Sequence, residues 1–358
     1  MKKFAADLTP EFSKTDAVMM ARCLELAERG LGHTRTNPLV GSVVVREGRI
    51  ISEGWHAGFG KAHAEVMALE CLPMELREGS TLYVNLEPCC HTGKTPPCTD
   101  LILRSRLKKV VVAHSDPDVR VSGRGLEILR QAGLEVLTGV LEKDAQYLNR
   151  AYLVQKNYRR PYITLKWAQT ADGFMSGPGS HPLKITQGTD DLFIHWLRAQ
   201  HDAILIGYRT AVMDNPRLTV RHLEGKNPLR VVWDPENGLP QDLQILKDDL
   251  PVWIFNRYCE RKMGEKIWKK AADLKEVLRY LLEADLGTVL VEGGRATLDF
   301  FISCNLWDQI YVFKALNVLA QNGVAAPSVP NGIPVRVQEG DRSLIELYEN
   351  HPSHEVFH

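Results

Sequence analysis

Apolar residues recur along this chain in two rhythms, one of period near 3.6 and one of short buried-type runs. Their alternation predicts helices and strands in turn. Residues 16–32 (DAVMMARCLELAERGLG) form an amphipathic helical pattern that stops at a glycine. Residues 40–56 (VGSVVVREGRIISEGWH) read as a two-stranded hairpin turning at Glu47-Gly48. Next come a short helix over 63–72, a strand over 80–88, a helix over 98–107, a strand over 108–116 and a helix–strand pair over 125–139. Strands separated by helices predict an α/β sandwich.

The pattern starts afresh at Arg160-Pro161-Tyr162. A strand is expected over 162–170, a helix over 191–200 and a strand over 201–207. Further buried-type strands fall at 229–234, 251–256 and 288–294, with helices between them. The polar turn in 147–161 (YLNRAYLVQKNYRRP) places a boundary near Lys156–Arg160, giving domains 1–156 and 160–358. The tail after about Gly332 is weakly patterned.

Length agrees with this division, since 358 residues is a natural size for two domains. Lys+Arg and Asp+Glu both number 44, and a neutral chain is poorly suited to non-specific nucleic-acid binding. No apolar run approaches 18 residues, so no membrane span is expected. The first residues, MKKFAADLTPEFSKTD, lack the apolar stretch of a secretory signal. The seven cysteines are odd in number and scattered apart from one cluster. That points to a reducing, cytoplasmic setting and one metal or catalytic site, not a disulfide framework.

The cluster carries the chemistry. His63-Ala64-Glu65 opens a helix, Pro88-Cys89 lies where a strand hands over to a loop, and Cys98 follows nine residues later. Imidazole nitrogen and two thiolates are zinc ligands, and three protein ligands leave a fourth position for water. Glu65, beside the ligand but not itself one, suits the general acid/base that moves a proton from water to a leaving amine. Alone, His63 or Cys89 would be an ordinary structural residue. In this order, H-x-E…P-C…C, they form the nucleobase-deaminase signature. Only one of two adjacent cysteines points easily at a metal, so Cys90 is read as structural. Nucleoside and polynucleotide deaminases show P-C-x-x-C, whereas here CHTGKTPP separates the cysteines. His91 and Lys94 in that loop are donors suited to a polar or phosphorylated substrate.

The runs 36–45 (TNPLVGSVVV), 63–69 (HAEVMAL), 83–102 (YVNLEPCCHTGKTPPCTDLI) and 116–125 (DPDVRVSGRG) resemble the bifunctional riboflavin-biosynthesis deaminase–reductase family. So do 166–173 (KWAQTADG), 184–186 (KIT), 197–207, 214–221 (DNPRLTVR) and 291–294 (VEGG). The resemblance covers the chain to about residue 312. It implies a cytidine-deaminase-like α/β/α sandwich followed by a dihydrofolate-reductase-like α/β domain. It implies one zinc ion per chain, NADPH and a phosphorylated pyrimidine substrate, and it allows a homo-oligomer. The first domain would deaminate 2,5-diamino-6-(5-phosphoribosylamino)pyrimidin-4(3H)-one. The second would reduce the ribosyl side chain of the product to ribityl. Asn37, His56, His91 and Lys94 are then expected at the deaminase substrate.

In the second half, glycine turns followed by helices offer amides to phosphate at two places. These are Gly207-Tyr208-Arg209-Thr210 and Glu292-Gly293-Gly294-Arg295-Ala296-Thr297. The family pattern adds Arg198, Leu218, Arg221 and Glu292 as substrate residues, with the two arginines suited to a ribose phosphate. It adds Gln169, Lys184 and Asp214 on the cofactor side, and Asp214 is the acid expected for ribose opening. Lys166, Thr170 and Asp172 are expected to support the cleft. Arg209 is the candidate for the 2′-phosphate of NADPH. Asp234 and Glu236 would repel that phosphate if they pointed inward.

Three departures stand out: Lys184 replaces a usual tryptophan, 312–321 lacks an expected Ala-Pro, and the last residues match no usual final strand. The competing reading is a zinc nucleoside or tRNA deaminase with an appended non-catalytic binding domain.

Overall fold

The computed structural model describes residues 12–91, 96–118, 121–180, 183–330 and 332–350. The chain divides into two compact units, between Tyr158 and Arg159.

The first unit comprises α1 (Lys14–Glu28), β1 (Gly41–Arg46), β2 (Arg49–Trp55), α2 (Ala64–Glu70), α3 (Met74–Arg77), β3 (Thr81–Leu86) and α4 (Cys98–Arg104). It continues through β4 (Lys109–His114), α5 (Arg124–Gln131), β5 (Glu135–Thr138), α6 (Glu142–Leu148) and α7 (Arg150–Tyr158). The five strands form one sheet in the order β2-β1-β3-β4-β5. Successive strand residues face opposite sides, and the valine runs use both. Val44, Val110 and Val112 pack with Ala68, Leu69, Ile102 and Leu129 under α2, α4 and α5. Val43, Val45, Val111 and Ala113 pack with Met20, Cys23, Leu26 and Ala145 from α1 and α6. The predicted sandwich is thus present, with its hairpin at Glu47-Gly48.

The stretch that reads as a polar boundary is helical to Tyr158. Tyr152 and Gln155, three residues apart on one face of α7, are buried. The Tyr152 hydroxyl donates to Asp116 Oδ1 at 2.8 Å. One buried face is enough to order a helix whose other positions are polar.

The second unit begins with β6 (Tyr162–Gln169), α8 (Thr189–Gln200), β7 (Ala203–Gly207), α9 (Tyr208–Asp214), β8 (Leu229–Trp233), α10 (Gln244–Lys247) and β9 (Val252–Asn256). It ends with β10 (Arg261–Met263), β11 (Lys266–Lys270), α11 (Leu274–Glu283), β12 (Thr288–Val291), α12 (Arg295–Ser303), β13 (Gln309–Ala315), β14 (Arg336–Glu339) and β15 (Ser343–Glu349). Its ten-stranded sheet runs β10-β11-β9-β8-β7-β12-β6-β13-β15-β14. The central strands β9, β8, β7, β12, β6 and β13 are parallel to their neighbours in that block. Parallel strands with both faces covered read as continuous apolar runs, which is why 201–207 and 288–294 stand out in the sequence.

The tail differs from its expectation. Residues 336–349 form an antiparallel hairpin, and β15 pairs with β13 along seven positions, from Gln309↔Glu349 to Ala315↔Ser343. Within SLIELYE, Ser343, Ile345 and Tyr348 are buried. The hairpin turn also holds α8: Thr189 N–H donates to Asp341 Oδ2 at 2.9 Å, and Ser343 Oγ to Asp190 Oδ2 at 3.0 Å.

Candidate active site

In the first unit, three element boundaries meet. His63 is the residue before α2, Cys98 opens α4, and Cys89 follows β3 by three residues. Their ligand atoms all lie within 4.8 Å of one another. His63 Nδ1 is 3.2 Å from Cys98 Sγ and 3.6 Å from Cys89 Sγ. Cys89 is held from the α4 side, where its carbonyl accepts from Thr99 N–H at 3.2 Å and its sulfur from Cys98 N–H at 3.3 Å. One imidazole and two thiols in this geometry match the donor set of a catalytic zinc site. Contact with Cys98 and then His63 holds the Cys89 thiol well below the usual thiol range, while Cys98 is pushed up. Cys90 lies outside the cluster.

Glu65 sits in the first turn of α2, 4% exposed. Burial pushes its pKa up, against the pull of His63. A carboxyl kept from water beside two thiols and an imidazole suits proton transfer, not ion pairing.

Asn37 and His56 form a relay. His56 Nδ1 lies 3.0 Å from the Ala62 carbonyl, so that nitrogen carries the proton. His56 Nε2 then accepts from Asn37 Nδ2 at 3.1 Å. Burial lowers the His56 pKa and keeps the ring neutral. Asn37 Oδ1 is consequently fixed as an acceptor. His91 Nδ1 is buried and has no hydrogen-bond partner among the described residues. Lys94 lies outside the described residues. One buried group had no sequence signal: Glu87, which accepts backbone N–H groups across a long loop.

In the second unit, β7 and β12 are neighbours, which brings the two glycine turns together. Gly207 N–H donates to Gly293 O at 3.2 Å. Thr210 Oγ1 accepts from Gly294 N–H at 2.7 Å. A Cβ on Gly207 would lie 2.5 Å from Thr297 Oγ1, and one on Gly294 2.7 Å from Thr210 Oγ1. These glycines therefore admit the threonines of the opposite turn, and the Gly294 amide is already taken. Arg295, the first residue of α12, pairs with Asp299 at 2.5 Å and donates to Ala325 O, and Ala296 follows it in the helix. Arg209 is exposed.

A buried charge cluster lies beside these turns. Arg198 forks onto Glu292, with Nε to Oε1 at 2.7 Å and Nη2 to Oε2 at 2.8 Å, and Nη1 reaches Thr219 O at 3.2 Å. Burial alone would raise Glu292, but Arg198 and then Lys166 override it and hold it at about 2. Lys166 is itself lowered by burial. His195 is lowered to about 4 by burial and then by Arg198 and Arg221, and its Nδ1 accepts from Arg221 N–H at 3.3 Å. Arg198 is thus committed to Glu292. Arg221 is exposed, with Nη1 on Thr219 Oγ1 at 3.2 Å.

Asp214 ends α9, and loss of solvent around its carboxyl raises the pKa. Leu218 is buried at φ 57°, a backbone region uncommon for leucine. Gln169 Oε1 accepts from Trp167 Nε1 at 2.9 Å, and Lys184 is exposed. Thr170 and Asp172 bind each other and the 320–321 backbone. Asp234 is turned onto the amides of Gly238 and Leu239, and Glu236 onto Arg257 and Tyr258, so the expected repulsion has other partners.

Residues 13–114 match the cytidine and deoxycytidylate deaminase zinc-binding region, and residues 161–321 match the RibD C-terminal domain. The riboflavin biosynthesis protein RibD of Aquifex aeolicus is 41% identical over 315 residues, covering 86% of this chain and 88% of that one. The RibD of Bacillus amyloliquefaciens is 38% identical over 326 residues, 87% of each chain. Among solved structures, a diaminohydroxyphosphoribosylaminopyrimidine deaminase/5-amino-6-(5-phosphoribosylamino)uracil reductase from Thermotoga maritima superposes with TM-score 0.84. It is 35% identical, and the match covers 94% of this chain and 98% of that one.

Proposed function

The chain belongs to the RibD family of riboflavin biosynthesis proteins, and on that premise we propose how its residues divide two successive reactions. It is a bifunctional deaminase and reductase. Residues 1–156 deaminate the diaminopyrimidine phosphate, and residues 160–358 reduce the ribosyl side chain of the product to ribityl. An appended non-catalytic second domain has no support, because both halves match catalytic relatives.

His63, Cys89 and Cys98 hold one zinc ion, which supplies the Lewis acidity that makes water a usable nucleophile near neutral pH. Glu65 takes the proton of the attacking water and returns it to the departing amino group, so ammonia leaves as the ring carbonyl forms. Asn37 presents Oδ1 to a ring N–H, because His56 holds its other end. His91 donates to the ring, and Lys94 is assigned to the substrate phosphate on the family resemblance. In the second unit, NADPH supplies the hydride for the ribosyl carbon. The helix starts after β7 and β12 would hold its phosphates without the amides of Gly207 and Gly294, which are bonded within the turns; Arg221 meets the ribose phosphate, and Asp214 donates the proton for ring opening. Arg198 and Glu292 hold the floor of that cleft as a rigid pair.

The observation that carries this reading is the His63–Cys89–Cys98 cluster with Glu65 buried beside it. Incubation with the diaminopyrimidine phosphate, zinc and NADPH, followed by mass analysis, should reveal the deaminated, reduced product. Glu65→Gln should lose deamination by at least about a hundredfold while still reducing the deaminated intermediate. Near-normal deamination by that variant refutes the role of Glu65.

A further inference from the structure

Glu87 lies two residues before Cys89 and is 3% exposed. Four backbone N–H groups converge on its carboxylate. Oε1 accepts from Gly125 at 2.9 Å and Leu126 at 3.3 Å. Oε2 accepts from Asp116 at 3.1 Å and Gly123 at 2.9 Å. Its own N–H donates to His114 O at 3.0 Å, extending the register of β3 on β4. One side chain thus gathers both ends of the loop from 116 to 125, a segment with no part in the two reactions as derived above.

That loop also presses on the residue between Glu87 and the ligand. A Cβ on Gly125 would lie 2.4 Å from Pro88 O, so glycine is what lets the loop seat against the Pro88 carbonyl. Cys89 is therefore held from two sides. From α4 come the amides of Cys98 and Thr99. From the strand side come Glu87 and the loop packed on Pro88. The other two cluster members sit at helix starts and have no such need. Cys89 alone sits in irregular backbone, where nothing repetitive fixes its direction.

We propose that Glu87 is a positioning residue that braces the Cys89 turn and preorganises the metal site, with Gly125 as the close-packed partner of that brace. The proposal rests on the zinc reading above. A carboxylate offers acceptors only, and N–H bonds to it are charge-assisted. Glutamine has the same shape but turns an NH₂ group onto two N–H donors, leaving them buried and unpaired. The loop would then release Pro88, and Cys89 with it. Groups that orient metal ligands from outside the coordination shell change metal affinity about 10- to 100-fold when removed.

The test uses the full chain and two readouts: zinc affinity by competition with a chromophoric chelator, and the thiolate-to-cobalt absorption after cobalt substitution. Glu87→Gln should bind zinc about 10- to 100-fold more weakly than wild type. It should also show a weakened thiolate band per cobalt bound, at temperatures where far-UV circular dichroism shows the metal-free variant folded. Gly125→Ala, which pushes Pro88 directly, should do the same and decides the matter if the first variant does not fold. Lys156→Ala removes the 2.9 Å pair to Asp118 at the far side of the loop and should leave affinity unchanged. Zinc affinities within about twofold of wild type in both brace variants overturn the proposal. A wild-type chain that takes up neither metal overturns the zinc reading instead, so the two failures are distinct.

Discussion

Replacing Arg198 by methionine keeps most of the side-chain volume and removes only the guanidinium. Glu292 would then keep its buried place, 9% exposed, with its two forked bonds at 2.7 and 2.8 Å gone. A carboxyl held at about 2 instead of 4.5 favours the folded state by about 3 kcal/mol, at about 1.4 kcal/mol per tenfold change in proton affinity. This agrees with the roughly 3–5 kcal/mol lost when one partner of a buried pair is removed. Because the folded pKa is depressed, the contribution is complete above pH 4.5 and disappears as the pH falls toward 2. About 2 kcal/mol of it is gone by pH 3. The variant should therefore be about 3 kcal/mol less stable at neutral pH, with a deficit that shrinks on acidification. Denaturant unfolding followed by tryptophan fluorescence measures this in the second unit, since Trp55 is the only tryptophan in the first. A deficit below about 1 kcal/mol at pH 7, the scale of an exposed pair, or one that persists unchanged at pH 3, refutes the reasoning.

Cys98→Ser should lower bound zinc well below one per chain by metal analysis; unchanged content removes Cys98 as a ligand and turns attention to Cys90. Arg209→Ala should cut the preference for NADPH over NADH by about tenfold or more, the scale of one charge-assisted contact, in catalytic efficiencies measured with both nucleotides. A preference kept in full shows that Arg209 does not read the 2′-phosphate.

The metal cluster was legible because each ligand arrives with its own punctuation. His63 and Cys98 stand at helix starts, and Cys89 follows a proline after a strand. The continuous valine and isoleucine runs marked the buried strands for a similar reason. Partnerships between distant segments were not legible. Arg198 and Glu292 are 94 positions apart, and nothing in either segment says that the arginine is committed to a carboxylate instead of a phosphate. Glu87 reads as one more acid before Pro-Cys until the loop at 116–125 folds onto it. The final hairpin was hidden because SLIELYE places a polar residue at every third position, so it shows neither the period-two pattern of a half-buried strand nor a continuous apolar run. The two glycine turns were found, but the threonine of each turn seats against the glycine of the other, a relation that needs the pairing of β7 with β12.

Synthesis from the ribosome gives that last hairpin a further consequence. Every strand of the first unit has been made by Thr138, and its last helix by Tyr158, so that unit can close while the rest is still being translated. The second unit has no such freedom. Its β13 awaits a partner that emerges only with residues 343–349, and α8, which carries Arg198, awaits Asp341 and Ser343. A stop shortly before Ser343 therefore falls unequally. It leaves the deaminase half intact and strips the reductase half of an inner strand, so that a late nonsense mutation turns a two-step catalyst into a one-step one.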